Sequence, residues 1–324
     1  MLSLKECQKL INLSLDSIDL PGEPSNLYDP IKYILEIGGK RLRPSLVIMA
    51  CNVYQDNVQD ALFPALALEV FHNFTLMHDD IMDNSFLRRN YPTVHVKWNR
   101  NIGILSGDAM VIKAYQLLSM GPEKILPDLI RIFNSTALRL CEGQQYDLDF
   151  EERIDISIDD YLKMIKLKTA ALIAGSLEMG AFIGGADELH VRKFHEIGQN
   201  LGIAFQIQDD WLDLYAEEKG FGKITGNDIV NNKKTALLIQ ALQMSEGERK
   251  NELLSWIEKR DFIPEDKVIA VKAIFNDLKI KESTLKLVEK YYNKAISCLD
   301  EINVKAERKK ELYSFAVTLM ERKA

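Results

Sequence analysis

Cysteine is scarce in this chain and nowhere paired. Cys7, Cys51, Cys141 and Cys298 are the four in 324 residues, and no two stand at Cys-x-x-Cys spacing. This excludes a zinc ribbon or a disulfide-stapled scaffold and predicts reduced thiols in a cytoplasmic protein. Proline numbers nine, with none between Asp128 and Ile263. A long run without proline, rich in Leu, Ile, Ala, Lys and Glu, favours helices. An excess of positive charge is also missing: 41 Lys and Arg stand against 48 Asp and Glu, a net charge of −7. That balance argues against nucleic-acid binding, which needs a basic surface to neutralise phosphates. There is no run of about 18 apolar residues, so no transmembrane segment is expected. Lys5 and Glu6 interrupt the first residues, where a signal peptide would have an apolar core. No repeat and no Gly/Ser or Pro-rich linker divides the chain, which predicts a single domain over residues 1–324.

What is present is helical periodicity. From Ala61 to Met82 the apolar residues Leu62, Ala65, Leu66, Phe71, Phe74 and Ile81 recur at helical spacing. Similar patterns cover about 125–143, 159–183, 187–215 and 233–243, and amphipathic patterns continue over about 265–321. Asp29-Pro30 reads as a helix start, Gly38-Gly39 as that helix's end, and Pro44 as the opening of the next. A further helix is expected to begin near Ser106-Gly107-Asp108. No segment has strand periodicity. The fold class expected is all-α.

One acidic pattern occurs twice. Asp79-Asp80-Ile81-Met82-Asp83 returns as Asp209-Asp210-Trp211-Leu212-Asp213. Residues four apart share a helix face, so the outer carboxylates of each triplet point the same way. Like charges so placed cost a few tenths of a kcal/mol. No Lys or Arg stands three or four residues from either outer pair, and the flanking residues are apolar. A divalent metal is the economical counter-charge. Oxygen-only donors without cysteine select magnesium or a similar hard cation.

Basic residues gather beside the acidic ones. Lys40, Arg41 and Arg43 share one connector, and Arg88 and Arg89 follow the first triplet. Taken alone, each cluster could be a solvated loop. Next to metal-binding carboxylates, forked guanidinium donors suit a diphosphate.

The ordered set Gly38-Gly39-Lys40-Arg41-Leu42-Arg43-Pro44, Asp79-Asp80-Ile81-Met82-Asp83, Arg88-Arg89, Gly143-Gln144-Gln145-Tyr146-Asp147-Leu148, Lys168-Thr169 and Phe205 to Asp213 resembles the trans-isoprenyl diphosphate synthases, or polyprenyl synthetases. The likeness covers roughly residues 30–240. It implies a large helical bundle around a deep central cavity, and a homodimer. It implies head-to-tail condensation of isopentenyl diphosphate with an allylic diphosphate (dimethylallyl, geranyl or farnesyl). About three magnesium ions would be shared with the allylic diphosphate, with Asp79, Asp83 and Asp209 as ligands. By the same likeness Arg88, Lys168, Lys223 and Lys233 would contact the allylic diphosphate. Lys40, Arg43, His72 and Arg89 would hold isopentenyl diphosphate. Thr169 and Gln206 would lie near the developing cation. The segment Lys97 to Asn101 departs from the family pattern, and Gly222 to Asp228 is one residue longer than in some relatives.

Product length would be set on the helix that carries Asp79. Phe71, Phe74 and Thr75 precede the first triplet by eight, five and four residues. With one aromatic at the last two positions and no insertion in the motif, the arrangement resembles the geranylgeranyl type. Farnesyl diphosphate is the alternative product, and plain core packing the alternative role for the two rings. Other readings were a terpene cyclase, a non-catalytic synthase subunit and a di-iron bundle. Glu69-Val70-Phe71-His72 is one Glu-x-x-His, whereas a di-iron site needs two and two further Glu.

Overall fold

The computed structural model describes residues 1–216 and 226–321. Among these residues the regular structure is helical, apart from one hairpin of two-residue strands, β1 (Leu87–Arg88) and β2 (Tyr91–Pro92). The chain has the all-α class expected from its sequence. Two compact units can be distinguished, each built from three stretches of chain.

Unit 1 comprises Met1–Thr136, Gly175–His195 and Ile302–Leu312. It holds α1 (Leu4–Asp16), α2 (Ser25–Glu36), α3 (Leu42–Tyr54), α4 (Gln59–Met82), the one-turn α5 (Val94–Lys97) and α6 (Arg100–Ser119). α1 opens on a capping box in which Ser3 Oγ accepts from the Glu6 N–H and the Glu6 carboxylate accepts from the Ser3 N–H. α3 is buried from Pro44 through Val53, so it forms the axis of the core. α4 packs on α3 along one side and on α6 along another. α6 begins at Arg100, six residues before the expected start, because the Asn99 side chain accepts from the Ile102 N–H. α2 begins at Ser25 and carries Pro30 in its interior, whereas Asp29-Pro30 had read as a start.

Unit 2 comprises Ala137–Ala174, Glu196–Glu301 and Tyr313–Ala324. Its helices are the second part of α7 (Leu126–Glu151), α8 (Ile158–Ile165), the start of α9 (Ala171–Ile183), most of α10 (Glu188–Tyr215), α11 (Asn227–Val230), α12 (Ala236–Met244), α13 (Gly247–Glu258), α14 (Pro264–Asp277), α15 (Ile280–Asp300) and the end of α16 (Ala306–Met320). Lys166–Ala170, between α8 and α9, is a π-helical turn. One core cluster gathers Tyr161, Ile165, Ile207 and Val288, and a second gathers Leu214, Leu253, Val271 and Phe275. These clusters fix the helices that carry the acidic and basic residues of this unit.

Candidate functional site

In unit 1 the candidate residues come from α4, the connector before α3, and the hairpin. Arg41 sits in a left-handed conformation (φ 45°) at the start of α3. Its guanidinium is buried and reaches Glu69 at 2.6 Å and the Leu35 carbonyl at 2.7 Å. Asn73 donates to the same Glu69 oxygen at 3.1 Å. α3 begins at Leu42, two residues before the expected start at Pro44, so Arg43 stands in its first turn and not on the connector; the Arg41–Glu69 pair ties this helix start to α4. Arg43 then donates to His72 Nε2 at 3.0 Å. Burial, together with Arg43, Arg89, Arg88 and Arg41, holds His72 well below the ordinary imidazole range, so it is neutral and accepts. Burial also pushes Arg43 down to about 10. Arg43 Nε is buried without a partner. A Cβ on Gly39 would fall 2.7 Å from the Arg89 guanidinium, so Arg89 lies against the same connector. Of the group expected from the likeness, Arg43 and His72 meet beside the middle of α4, and Arg89 lies against Gly39, next to Lys40 in the chain. The carboxylates facing these cations are Glu69 and Asp80, each already paired with an arginine.

Within the first triplet the three carboxylates part company. Asp80 is buried and takes Arg88 Nη2 at 2.5 Å and Arg88 Nε at 3.1 Å. Asp83 is exposed and Asp79 half-buried. Sequence reasoning assigned Arg88 to a diphosphate; the structure places it on Asp80, leaving about a third of its side chain exposed.

The second triplet divides in the same way. Asp210 is buried, accepting from the Tyr161 hydroxyl at 2.7 Å and from Gln206 Nε2 at 2.9 Å. Burial raises its carboxyl to about 6. Asp213 accepts the Asp228 N–H at 3.0 Å and so fastens α11. Asp209 is the exposed member. Asp228 joins the cluster, and burial pushes its carboxyl up to about 7, with Lys233 opposing the shift. Lys233 Nζ lies 3.9 Å from Asp228.

Facing Asp210 in the same unit is the π-helical turn. A Cβ on Gly143 would fall 2.1 Å from the Lys168 N, so α7 approaches this turn as only glycine permits. Lys168 and Thr169 are consecutive residues of this turn. Lys168 pairs with Asp147 at 2.5 Å. The Thr169 hydroxyl donates to Gln206 Oε1 at 2.9 Å. Asp147, Tyr161, Lys168, Thr169, Gln206, Asp210 and Lys233 line one groove. Lys223 lies outside the described residues.

Among the described residues, no three Asp, Glu, His or Cys side chains are arranged to cage a metal on their own. The carboxylates of half-buried Asp79 and of exposed Asp83 and Asp209 are hard oxygen donors of the kind that suits magnesium, which keeps several waters and takes the rest of its shell from substrate phosphates. Sequence reasoning missed Tyr161, Asp147, Asp228 and the Arg41–Glu69 pair. Asp147 and Asp228 stood inside segments already singled out; Tyr161 gave no signal.

Among the described residues no helix is long and apolar enough to cross a membrane. The polyprenyl synthetase family model matches residues 24–278. A geranylgeranyl diphosphate synthase of Sulfolobus acidocaldarius is 38% identical over 296 residues, 89% of this chain and 88% of that one. A geranylgeranyl diphosphate synthase of Methanosarcina mazei is 37% identical over 243 residues, 74% of this chain and 75% of that one. Among solved structures, a geranylgeranyl pyrophosphate synthase superposes with a TM-score of 0.95 at 43% identity, covering all of both chains.

Proposed function

The chain belongs to the polyprenyl synthetase family and is a prenyltransferase, and we propose that it makes geranylgeranyl diphosphate from isopentenyl diphosphate and an allylic diphosphate. The observation that carries this reading is the division within each triplet. Asp80 and Asp210 are buried against side-chain donors, while Asp79 is half-buried and Asp83 and Asp209 are exposed to solvent.

In this proposal Asp79, Asp83 and Asp209 hold about three magnesium ions, shared with the allylic diphosphate. Bound magnesium supplies charge neutralisation for a departing diphosphate. Arg88, Lys168, Lys233 and Lys223 hold that diphosphate and add to the stabilisation as its carbon–oxygen bond ionises. Lys40, Arg43, neutral His72 and Arg89 hold isopentenyl diphosphate; their positive surplus suits a second anion. The Thr169 hydroxyl donates its hydrogen bond to Gln206 Oε1, so the lone pairs of its Oγ are left to face positive charge on the allyl group. Gln206 is kept in that orientation by donating to Asp210. The double bond of the second substrate attacks the allylic cation, and the released diphosphate takes the proton that is lost. No protein base is required.

We further propose that the chain acts as a single domain and a homodimer in the cytoplasm. Ile104, Leu105, Ile112 and Tyr115 form an exposed stripe on one face of α6, which suits a second copy. Light scattering should report a dimer, and Ile112→Lys should shift it toward monomer. The four cysteines, none of them in a disulfide, accord with a reducing compartment.

The deciding experiment supplies labelled isopentenyl diphosphate, magnesium and each allylic primer, then sizes the dephosphorylated products. A twenty-carbon alcohol is expected. No incorporation of isopentenyl diphosphate overturns the reaction, and a product of fifteen or twenty-five carbons overturns only the length.

A further inference from the structure

Lys267 on α14 is 1% exposed, yet both acceptors of its ammonium are uncharged oxygens. It donates to Asn232 Oδ1 at 2.7 Å and to the Val230 carbonyl at 3.2 Å, and its third side lies over the Phe262 ring at 4.4 Å. Burying an ammonium without a carboxylate is unfavourable unless its donors are satisfied. Here they are, and both acceptors belong to the segment 226–232. Asn232 is left-handed (φ 53°), and its amide donates to the Ile257 carbonyl at 3.0 Å. The far end of the segment is fastened by Asp213, through the Asp228 N–H. Lys233 stands one residue after the Asn232 tie, and its N–H returns to the carbonyl of Asp228, the other tied residue, at 2.9 Å. Asp228, Lys233 and Lys267 line one small hollow.

We propose that Lys267, acting through Asn232, is a positioning residue that sets the Lys233 ammonium for the allylic diphosphate. This inference rests on the reading of Lys233 given above. Lys267 does not itself reach the substrate. It holds the turn from which Lys233 projects, so that the ammonium need not be ordered when the diphosphate binds.

The test compares steady-state kinetics of the full chain with magnesium for Lys233→Met, Lys267→Met, Asn232→Gly and the Lys267/Asn232 double variant. Glycine retains the left-handed turn while removing both side-chain ties. KM for the allylic diphosphate should rise about tenfold in each single variant, as for loss of one aligned charge-assisted contact, with KM for isopentenyl diphosphate unchanged. The double variant should be no worse than either single one, because both break the same tie. A role confined to stability would lower the melting temperature and leave both KM values in place, and that result overturns the proposal. If Lys267→Met does not fold, Asn232→Gly decides alone. An unchanged allylic KM in Lys233→Met overturns the reading of Lys233 and this inference with it. A raised KM there, with normal values in the other variants, overturns this inference only.

Discussion

Asp80 and Arg88 form a forked ion pair, with Nη2 at 2.5 Å and Nε at 3.1 Å from the same carboxylate oxygen. The pair joins the middle of the first triplet to the hairpin that follows it. Tyr161 and Gln206 do the corresponding work on Asp210. On the proposed reading a five-residue motif carries two jobs: its outer carboxylates serve a cation, and its inward one anchors the neighbouring donors.

The two jobs should separate on mutation. Asp79→Asn should lower kcat by roughly 10²–10³, the usual loss when one stabiliser of transition-state charge is removed. Its melting temperature should stay at or above the native value. Asp80→Asn should act through Arg88, raising the allylic KM with a smaller loss of kcat. Equal kinetic losses in both, with the same dependence on magnesium concentration, would refute the division.

Arg41 and Glu69 make a buried pair at 2.6 Å, with both side chains almost fully enclosed. Removing one partner of such a pair leaves a buried charge alone, at about 3–5 kcal/mol. Glu69→Ala should therefore lower unfolding free energy by about that much in guanidinium titrations. Arg41→Met combined with Glu69→Leu should recover most of the loss. A Glu69→Ala cost below about 1 kcal/mol would mean the pair contributes little.

The Asp228 carboxyl gives a pH dependence whose sign is fixed. An ordinary aspartate titrates at 3.8, but burial and the neighbouring Asp210, Asp213 and Asp209 hold this one to about 7 in the folded chain. The folded state then binds the proton more tightly than the unfolded chain, so this group favours folding most below about pH 4 and its contribution is gone above about pH 7. Asp210, raised to about 6, acts in the same direction. The metal-free protein should melt progressively lower as pH rises through this window. Asp228→Asn should flatten the profile and melt above the native chain at pH ~8. A native profile already flat over that range would refute the shift.

Much of this architecture was legible in the sequence because long helices leave a strong periodic trace, as on α4 and α10. The legible part of the site was the part with charge in excess. What the sequence hid were compensations. Gly107 read as near a helix start, yet it lies inside α6, where a Cβ would fall 2.2 Å from His78 Nε2. It is there because α4 passes close, and single-chain periodicity carries no record of a neighbour. The π-helical turn at Lys166–Ala170, against which α7 packs closely at Gly143, likewise left no periodic trace in the sequence. Tyr161 looked like any core aromatic, and only its 2.7 Å contact with Asp210 distinguishes it.

The product-length reading meets its test on the remaining face of α4. Phe74 is half-buried and held between two rings, Phe71 at 5.4 Å and His78 at 4.7 Å between centroids. Thr75 adds no bulk, because its hydroxyl is turned back to the His72 carbonyl at 2.8 Å. Phe74 is thus the less buried of the two phenylalanines, about 7.5 Å of helix rise from Asp79. Behind it Phe71 is 3% exposed and packs on Phe133 at 5.2 Å. Phe74→Ala should lengthen the product by one or two isoprene units and then stop it at Phe71. Phe74→Ala with Phe71→Ala should lengthen it again, at a cost in stability from the loss of the Phe133 contact. Chromatography of dephosphorylated products reads both steps. Unchanged lengths in both variants, with turnover retained, would make the two rings core packing and place the stop elsewhere.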